Sequence, residues 1–537
     1  MRHRVVVGSL FVVLAFVAMW IVAAPSAFAQ ASAPGPAAPT VTGPIPRTTA
    51  LKDPAHGYPF NATPMDLAKQ GYVEEEFFIE GMASRYNTPQ GNPAATGTVI
   101  DSGHPYKTRI VVRRPSSRGK FNGTAVIEWT NVSQGHDHEV DWLESKDHFV
   151  RAGYAWIGVS AQNVGVSALK EWSPNRYGTL DVTQGGTVMG DALSYDVFTA
   201  AALAIRGKSK ADVMGGLKVE RLIATGHSQS AGRLGTYFNS VHPLAPVFDA
   251  AVIRGANPVM RTDLNVKIFK LLSESDVPLQ ATGYQADSDR LRTWSVAGAS
   301  HLDYKDSLEL GAVGLRVAGG PPVAGPEVVR GPTISGGGPG IRAYQTDATN
   351  PVCAIPVLFS RIPAHYVQNA AYDHLVRWIK DGKTPPAAPQ IELSAGAIAR
   401  DKSGNAMGGI QLAQHSVPTA MNSGRNTAPG GGRGPAPAAR GAGAPPPADD
   451  RGQARGPAPG GGPAGGGRGG NPGQFCGLLG GYEPFAAAQL AMLYPAHDTY
   501  VKAVKAVTEK NLKAGYILKA DAEATIAEAN RSTIGKR

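Results

Sequence analysis

The sequence predicts an α/β fold: a mostly parallel sheet of about eight strands with helices on both faces. Three observations predict it. Short β-branched runs alternate with helix-length segments between Tyr72 and Lys380. A chain of 537 residues, 42% of them hydrophobic, is ample for a sizeable core. One apolar run, Leu222-Ile223-Ala224, passes through a tight Gly226-containing turn directly into a helix-like segment.

At the N-terminus, Arg2, His3 and Arg4 precede an apolar run from Val5 to Ala24, and Ala27-Phe28-Ala29 follows before Gln30. A basic head, an apolar centre and an A-x-A end are the parts of a secretory signal. Residues 1–29 are therefore expected to be a signal peptide cleaved after Ala29, leaving a secreted or periplasmic protein with no stable membrane insertion. Residues 30–49, rich in Pro, Ala and Thr, read as a linker.

Residues 50–423 carry the α/β domain. Strands are expected at 73–78, 109–113, 125–129, 155–159, 222–224, 250–253, 268–272 and 292–296, and helices at 140–152, 192–206, 230–241 and 367–380. Two stretches, 161–190 and the Gly/Pro-rich 311–341, break the alternation as long, lid-like loops. Residues 474–537 show helical spacing at 486–494, 500–514 and 522–529, with Asp521 reading as a cap, and are expected to form a helical C-terminal extension packed on the domain.

Glycine (66) and proline (42) together make about a fifth of the chain, well above the roughly 12% of an average protein. Much of the excess falls in 424–473, composed almost wholly of Gly, Pro, Ala and Arg. Such a block has too few apolar side chains to offset an ordering entropy of about 1–2 kcal/mol per residue, so it is expected to be a disordered insert. Arg425, Arg433, Arg440, Arg451, Arg455 and Arg468 against Asp449 and Asp450 place four of the ten net positive charges there. No aromatics are interleaved to stack bases, so nucleic acid is not an expected partner.

The two cysteines, Cys353 and Cys476, are expected to pair, since an even count in an exported chain invites a disulfide. Such a bond would bracket the insert and contribute at most about 4–5 kcal/mol on the chain-entropy model. Two buried free thiols are the alternative.

The chemistry concentrates at Gly226-His227-Ser228-Gln229-Ser230-Ala231-Gly232. Small residues around Ser228 permit the strained strand-to-helix turn that lifts a serine hydroxyl above a sheet edge. The following helix directs its first amides at an oxyanion formed there. The usual G-x-S-x-G pattern ends here in Ser230, with Gly232 two residues on. A serine needs a base and an orienting acid, which this kind of site supplies in the order Ser, Asp/Glu, His. The strand ending at Ser273 is followed by Glu274 and Asp276, with Asp276 the better placed and Glu274 the close alternative. The last strand leads to His301, an imidazole able to exchange a proton near neutral pH. The oxyanion donors are expected to be the Gln229 N–H and that of Asn131 or Val132, after the 125–129 strand. Trp142, Trp172 and Tyr177 are expected to line the acyl or alcohol pocket.

Just beyond Val132, His136-Asp137-His138-Glu139 has donor atoms, but adjacent residues on one loop rarely close a four-ligand shell. No metal is expected. There is no P-loop, and no G-x-G-x-x-G after a strand, so no nucleotide cofactor is expected either.

The elbow from Gly226 to Arg233, the Ser273-Glu274-Ser275-Asp276 loop, the Val296-to-His301 end and the early Gly71-Tyr72-Val73-Glu74-Glu75-Glu76-Phe77-Phe78 run together resemble a group of bacterial α/β-hydrolase domain proteins, often exported. The likeness spans about 50–400 and resumes at 485–529. It implies the α/β-hydrolase fold and a serine hydrolase acting on a small-molecule carboxylic ester, and names no substrate. A peptidase or amidase on the same residues, or a non-catalytic envelope-binding protein using the insert, are the rival readings. Nothing in the residues sets an oligomeric state.

Overall fold

The computed structural model describes residue 1 and residues 36–51, 53–279, 281–309, 353–402, 404–429 and 476–536. Residues 2–29 of the expected signal segment, the 311–341 loop and the 430–473 part of the insert lie outside the described residues. Among the described residues no helix is long and apolar enough to cross a membrane.

Nine strands form one sheet: β1 (Thr40–Thr42), β2 (Tyr72–Asn87), β3 (Thr98–Pro115), β4 (Thr124–Trp129), β5 (Ala155–Val159), β6 (Arg221–His227), β7 (Ala250–Arg254), β8 (Lys267–Ser273) and β9 (Leu291–Val296). Their order is β1-β2-β3-β5-β4-β6-β7-β8-β9. From β5 onward every pair is parallel, whereas β1, β2, β3 and β5 pair antiparallel. The extra strand is β1, inside the stretch expected to be linker. Three residues give little periodicity, but Thr-Val-Thr is β-branched and covers the open edge of β2, and Val41 packs on the core.

The central strands are buried on both faces, and side-chain alternation sends each face into its own cluster. In β6, Ile223 joins the cluster built with Trp142 and Phe149 of the helix Val140–Ala152 and Tyr372 and Leu375 of the helix Ala364–Asp381. Its neighbours Leu222 and Ala224 join the opposite cluster, with Phe198 of the helix Ser194–Ile205 and Leu234 of the helix Gln229–Thr236. Helix Val140–Ala152 ends at Gly153 (φ 78°), where a Cβ would stand 2.1 Å from the Lys120 carbonyl oxygen, so only glycine fits.

The 161–190 connection contains helices Asn163–Trp172 and Pro174–Tyr177. The C-terminal helices are Ala487–Leu493, His497–Ala514 and Lys519–Arg531. They pack through Tyr494, Val504 and Ala529 onto Ala413 and Val417, and the Asn511 side-chain amide donates to the Gln411 carbonyl at 3.0 Å. Asp521 falls in the first turn of its helix instead of capping it.

Buried charge ties the antiparallel edge to the parallel centre. Arg113 donates to Glu74 (2.7 Å), Glu139 (2.6 Å) and the Asn61 carbonyl (2.9 Å), and lies 4.6 Å from the ring centroids of both Trp142 and Trp156. Arg109 meets Glu76 and Asp137 and faces the Tyr177 ring. Removing one partner leaves an uncompensated buried charge. Arg113→Met is therefore expected to cost about 3–5 kcal/mol, read as a lower urea midpoint.

His242 makes the fold acid-sensitive. Its buried Nε2 accepts the Val247 and Phe248 N–H groups, both at 3.2 Å, and burial pushes its pKa down to about 4. Below a pH of about 6.5 the unfolded chain binds a proton that the native ring refuses until about pH 4. The stabilisation is thus complete above that window and falls through it by on the order of 3 kcal/mol. Urea midpoints measured against pH should drop over this window, and less steeply in His242→Gln, whose amide oxygen can take the same N–H groups.

Candidate active site

Strand β6 ends at His227, and Ser228 stands between it and the helix Gln229–Thr236 with φ 59° and ψ −115°. That left-handed backbone is strained for a residue with a Cβ. It is held by the Ser228 N–H to the Arg254 carbonyl (2.8 Å) and the Gly232 N–H to the Ser228 carbonyl (3.0 Å). Ser230 takes the last position of the elbow without crowding it, because its Oγ turns inward, accepting the His227 N–H and donating to the His227 carbonyl, both at 3.0 Å.

His301 follows β9, and Asp276 lies three residues past the end of β8. Asp276 Oδ1 accepts the His301 Nδ1–H at 2.6 Å, and Oδ2 accepts the N–H and Oγ–H of Ser273 at 2.8 and 2.7 Å. Burial alone would raise the Asp276 pKa. The charge of His301 and the hydrogen bonds from His301 and Ser273 outweigh it and hold the carboxyl below its ordinary value. With Nδ1 as donor, His301 presents Nε2 as a base. Neither Nε2 nor the Ser228 Oγ has a hydrogen-bond partner among the described residues.

Glu274, the alternative acid, is turned away. One of its oxygens accepts the Gly298 N–H (2.8 Å) and the other pairs with Arg400 (2.6 Å). Its carboxylate braces the loop that carries His301.

His227 and Gly255 complete the arrangement. The His227 ring lies 4.4 Å from that of His301, and its Nε2–H donates to the His301 carbonyl at 3.0 Å. Burial first, and the Arg254 charge second, hold His227 well below the usual imidazole range, so it is neutral. Gly255 has φ 63°, and a Cβ there would meet His227 Nε2 at 2.8 Å and His301 Cε1 at 2.9 Å, which is why this turn after β7 has no side chain.

At the helix start, the Gln229 N–H has no acceptor among the described residues. Asn131 is otherwise engaged: its N–H donates to the His138 carbonyl (3.0 Å), and its side-chain amide donates to the His227 carbonyl (2.8 Å). The Val132 N–H has no acceptor among the described residues, so of the two residues expected on this loop it is the one able to donate to a ligand.

Two of the three aromatics expected in the pocket, Trp142 and Tyr177, are buried in the core instead. Trp142 is 1% exposed and packs on Arg113 and Trp156, and Tyr177 is fully buried with its hydroxyl donating to Glu76 at 2.8 Å. Trp172 stacks on His56 at 4.2 Å. Buried guanidinium groups of β3 face two of these rings, Arg113 that of Trp142 and Arg109 that of Tyr177, pairings of residues far apart in sequence. The His136–Glu139 run is dispersed as well, with Asp137 toward Ser160 and Arg109, His138 on Asp306 and Glu139 on Arg113. Cys353 and Cys476 form a disulfide, and residues 424–429, expected within the insert, pack on the domain: the Asn426 side chain accepts the Ile355 N–H and donates to the Ile355 and Gly480 carbonyls.

Residues 41–455 and 458–527 match the family described as "Alpha/beta hydrolase domain". The chain belongs to this alpha/beta hydrolase family. A search among curated proteins returns no match. Among solved structures, this hydrolase-family chain is similar to a prolyl endopeptidase (13% identity, 43% of this chain and 35% of that one, TM-score 0.24). It is also similar to an α/β serine hydrolase without lid from Xanthomonas campestris (12%, 40% and 83%, 0.23) and to a rice cell wall degrading esterase from Xanthomonas oryzae (10%, 35% and 43%, 0.20). The aligned part is about a third of the prolyl endopeptidase and under half of the Xanthomonas oryzae esterase.

Proposed function

We propose that this member of the alpha/beta hydrolase family is an exported serine hydrolase of small carboxylic esters. The observation that carries the reading is the 2.6 Å hydrogen bond from His301 to the buried Asp276 carboxylate, on loops beside the strained Ser228 turn. In this reading His301 Nε2 takes the Ser228 proton as Oγ bonds to the ester carbonyl carbon. The negative charge that develops on the carbonyl oxygen is met by the Gln229 and Val132 N–H groups. Collapse breaks the bond to the alcohol oxygen, which leaves with the proton from His301. Water then attacks the acyl-serine with His301 again as base, releasing the acid and restoring Ser228. Asp276 remains ionised and fixes the tautomer throughout. Export is supported by the basic, apolar and A-x-A pattern at 1–29 and agrees with the use of a disulfide.

A fluorophosphonate probe tests the reading directly, because only an activated serine reacts. The expected result is one adduct, mapped by peptide mass to Ser228. Folded protein that stays unlabelled overturns it. A matched panel of ester and amide substrates fixes the bond class: faster ester turnover is expected, and faster amide turnover would replace the esterase assignment with an amidase.

A further inference from the structure

Three interactions hold His301. Asp276 accepts its Nδ1–H, the His227 Nε2–H donates to its carbonyl, and its own N–H donates to the carbonyl of Leu478 at 3.0 Å. The third partner is far away in sequence and lies in the short segment 476–484, made of a helical turn, Cys476–Leu479, and a strand, Gly481–Pro484. This segment crosses the histidine loop closely. A Cβ on Gly480 (φ 63°) would stand 2.8 Å from Ser300 Cβ and 2.5 Å from the Ser423 carbonyl oxygen. The neighbouring Gly424 approaches Ala299 and Glu274 so tightly that a Cβ would come within 2.4 and 2.5 Å of them.

The segment is fastened at its start. Cys476 is bonded to Cys353, and both are fully buried in a cluster with Leu358, Phe359 and Leu479, against which Leu302 and Tyr304 pack. The Phe359 N–H donates to the Leu479 carbonyl (3.1 Å), and the Asn426 N–H to the Cys476 carbonyl (3.2 Å). The covalent link, two members of the apolar cluster and the carbonyl that receives the His301 N–H thus lie within four consecutive residues, 476–479.

We propose that residues 476–480, fastened by the Cys353–Cys476 disulfide, form a strap that positions His301, so that full activity requires the oxidised protein. The inference rests on the serine hydrolase reading above, and Leu478 and the two cysteines act in it only through His301. A general base must stand within hydrogen-bond reach of the proton it takes, and a displacement of about 1 Å from a remote change can cost about 100-fold. Loss of the strap should therefore lower kcat and leave the substrate surface, read through KM, largely alone.

The test compares wild type with Cys353→Ala/Cys476→Ala on a p-nitrophenyl ester, with near-ultraviolet circular dichroism as the measure of folding. In folded double variant, kcat is expected to fall about 10- to 100-fold with KM within about 3-fold. Folded double variant with kcat within about 2-fold of wild type overturns the strap. Should the variant not fold, folded wild type is treated with a phosphine instead. The disulfide takes two electrons from the phosphine and two protons from water to give two thiols, and the phosphine leaves as its oxide. Fluorophosphonate labelling of Ser228 should slow as thiols appear and recover on reoxidation; a labelling rate indifferent to thiol content overturns the strap. Failure of the oxidised wild type to label at all falls on the hydrolase reading instead, so the two failures are distinct.

Discussion

Ser228→Ala is expected to lower kcat on a p-nitrophenyl ester by about 10⁴- to 10⁶-fold. The substitution removes only Oγ, which has no hydrogen-bond partner among the described residues, so no buried group loses its contact. The backbone bonds that hold the turn, to Arg254 and from Gly232, do not involve the side chain. Stability should therefore change little, and the loss should fall on chemistry. Residual turnover is expected from the Gln229 and Val132 N–H groups, which can still stabilise an oxyanion formed by water attack. Steady-state kinetics with a denaturant curve separate the two effects. Near-wild-type kcat in the folded variant would remove Ser228 from the mechanism.

The second large effect is expected at Asp276. Asp276→Asn should reduce kcat by about 10⁴-fold, because an amide in place of the carboxylate can turn an N–H toward His301 and favour the tautomer that carries its proton on Nε2. The base then faces Ser228 with no lone pair. Glu274→Gln is the informative contrast. It weakens the pairing with Arg400 and the brace on Gly298, so it should lower the urea midpoint while kcat stays within about 10-fold. A reversed pattern, with Glu274→Gln the more damaging to kcat, would exchange the roles of the two acids.

The contrast between these carboxylates also shows where sequence reasoning stops. The runs at 125–129, 155–159, 250–253 and 292–296 stand out because continuous apolar, β-branched segments have few alternatives to a sheet buried on both faces. Ser228, Asp276 and His301 are legible as the residues just past β6, β8 and β9. Which of two acids two positions apart faces the histidine depends on Arg400, which lies 126 residues from Glu274. That information is not local. The same holds for Trp142 and Tyr177, drawn inward by Arg113 and Arg109 on β3, and for Asn131, whose N–H is taken by a bridge to His138. The grip of Leu478 on His301 joins residues 177 positions apart and has no signature in either neighbourhood. β1 lacks a signature for the opposite reason, being local but only three residues long.

The hydrogen bond from the Asn426 N–H to the Cys476 carbonyl gives the molecule a built-in clasp. It holds two backbone positions that are remote in sequence 3.2 Å apart, beside a covalent staple, so their spacing is set by contacts among the described residues.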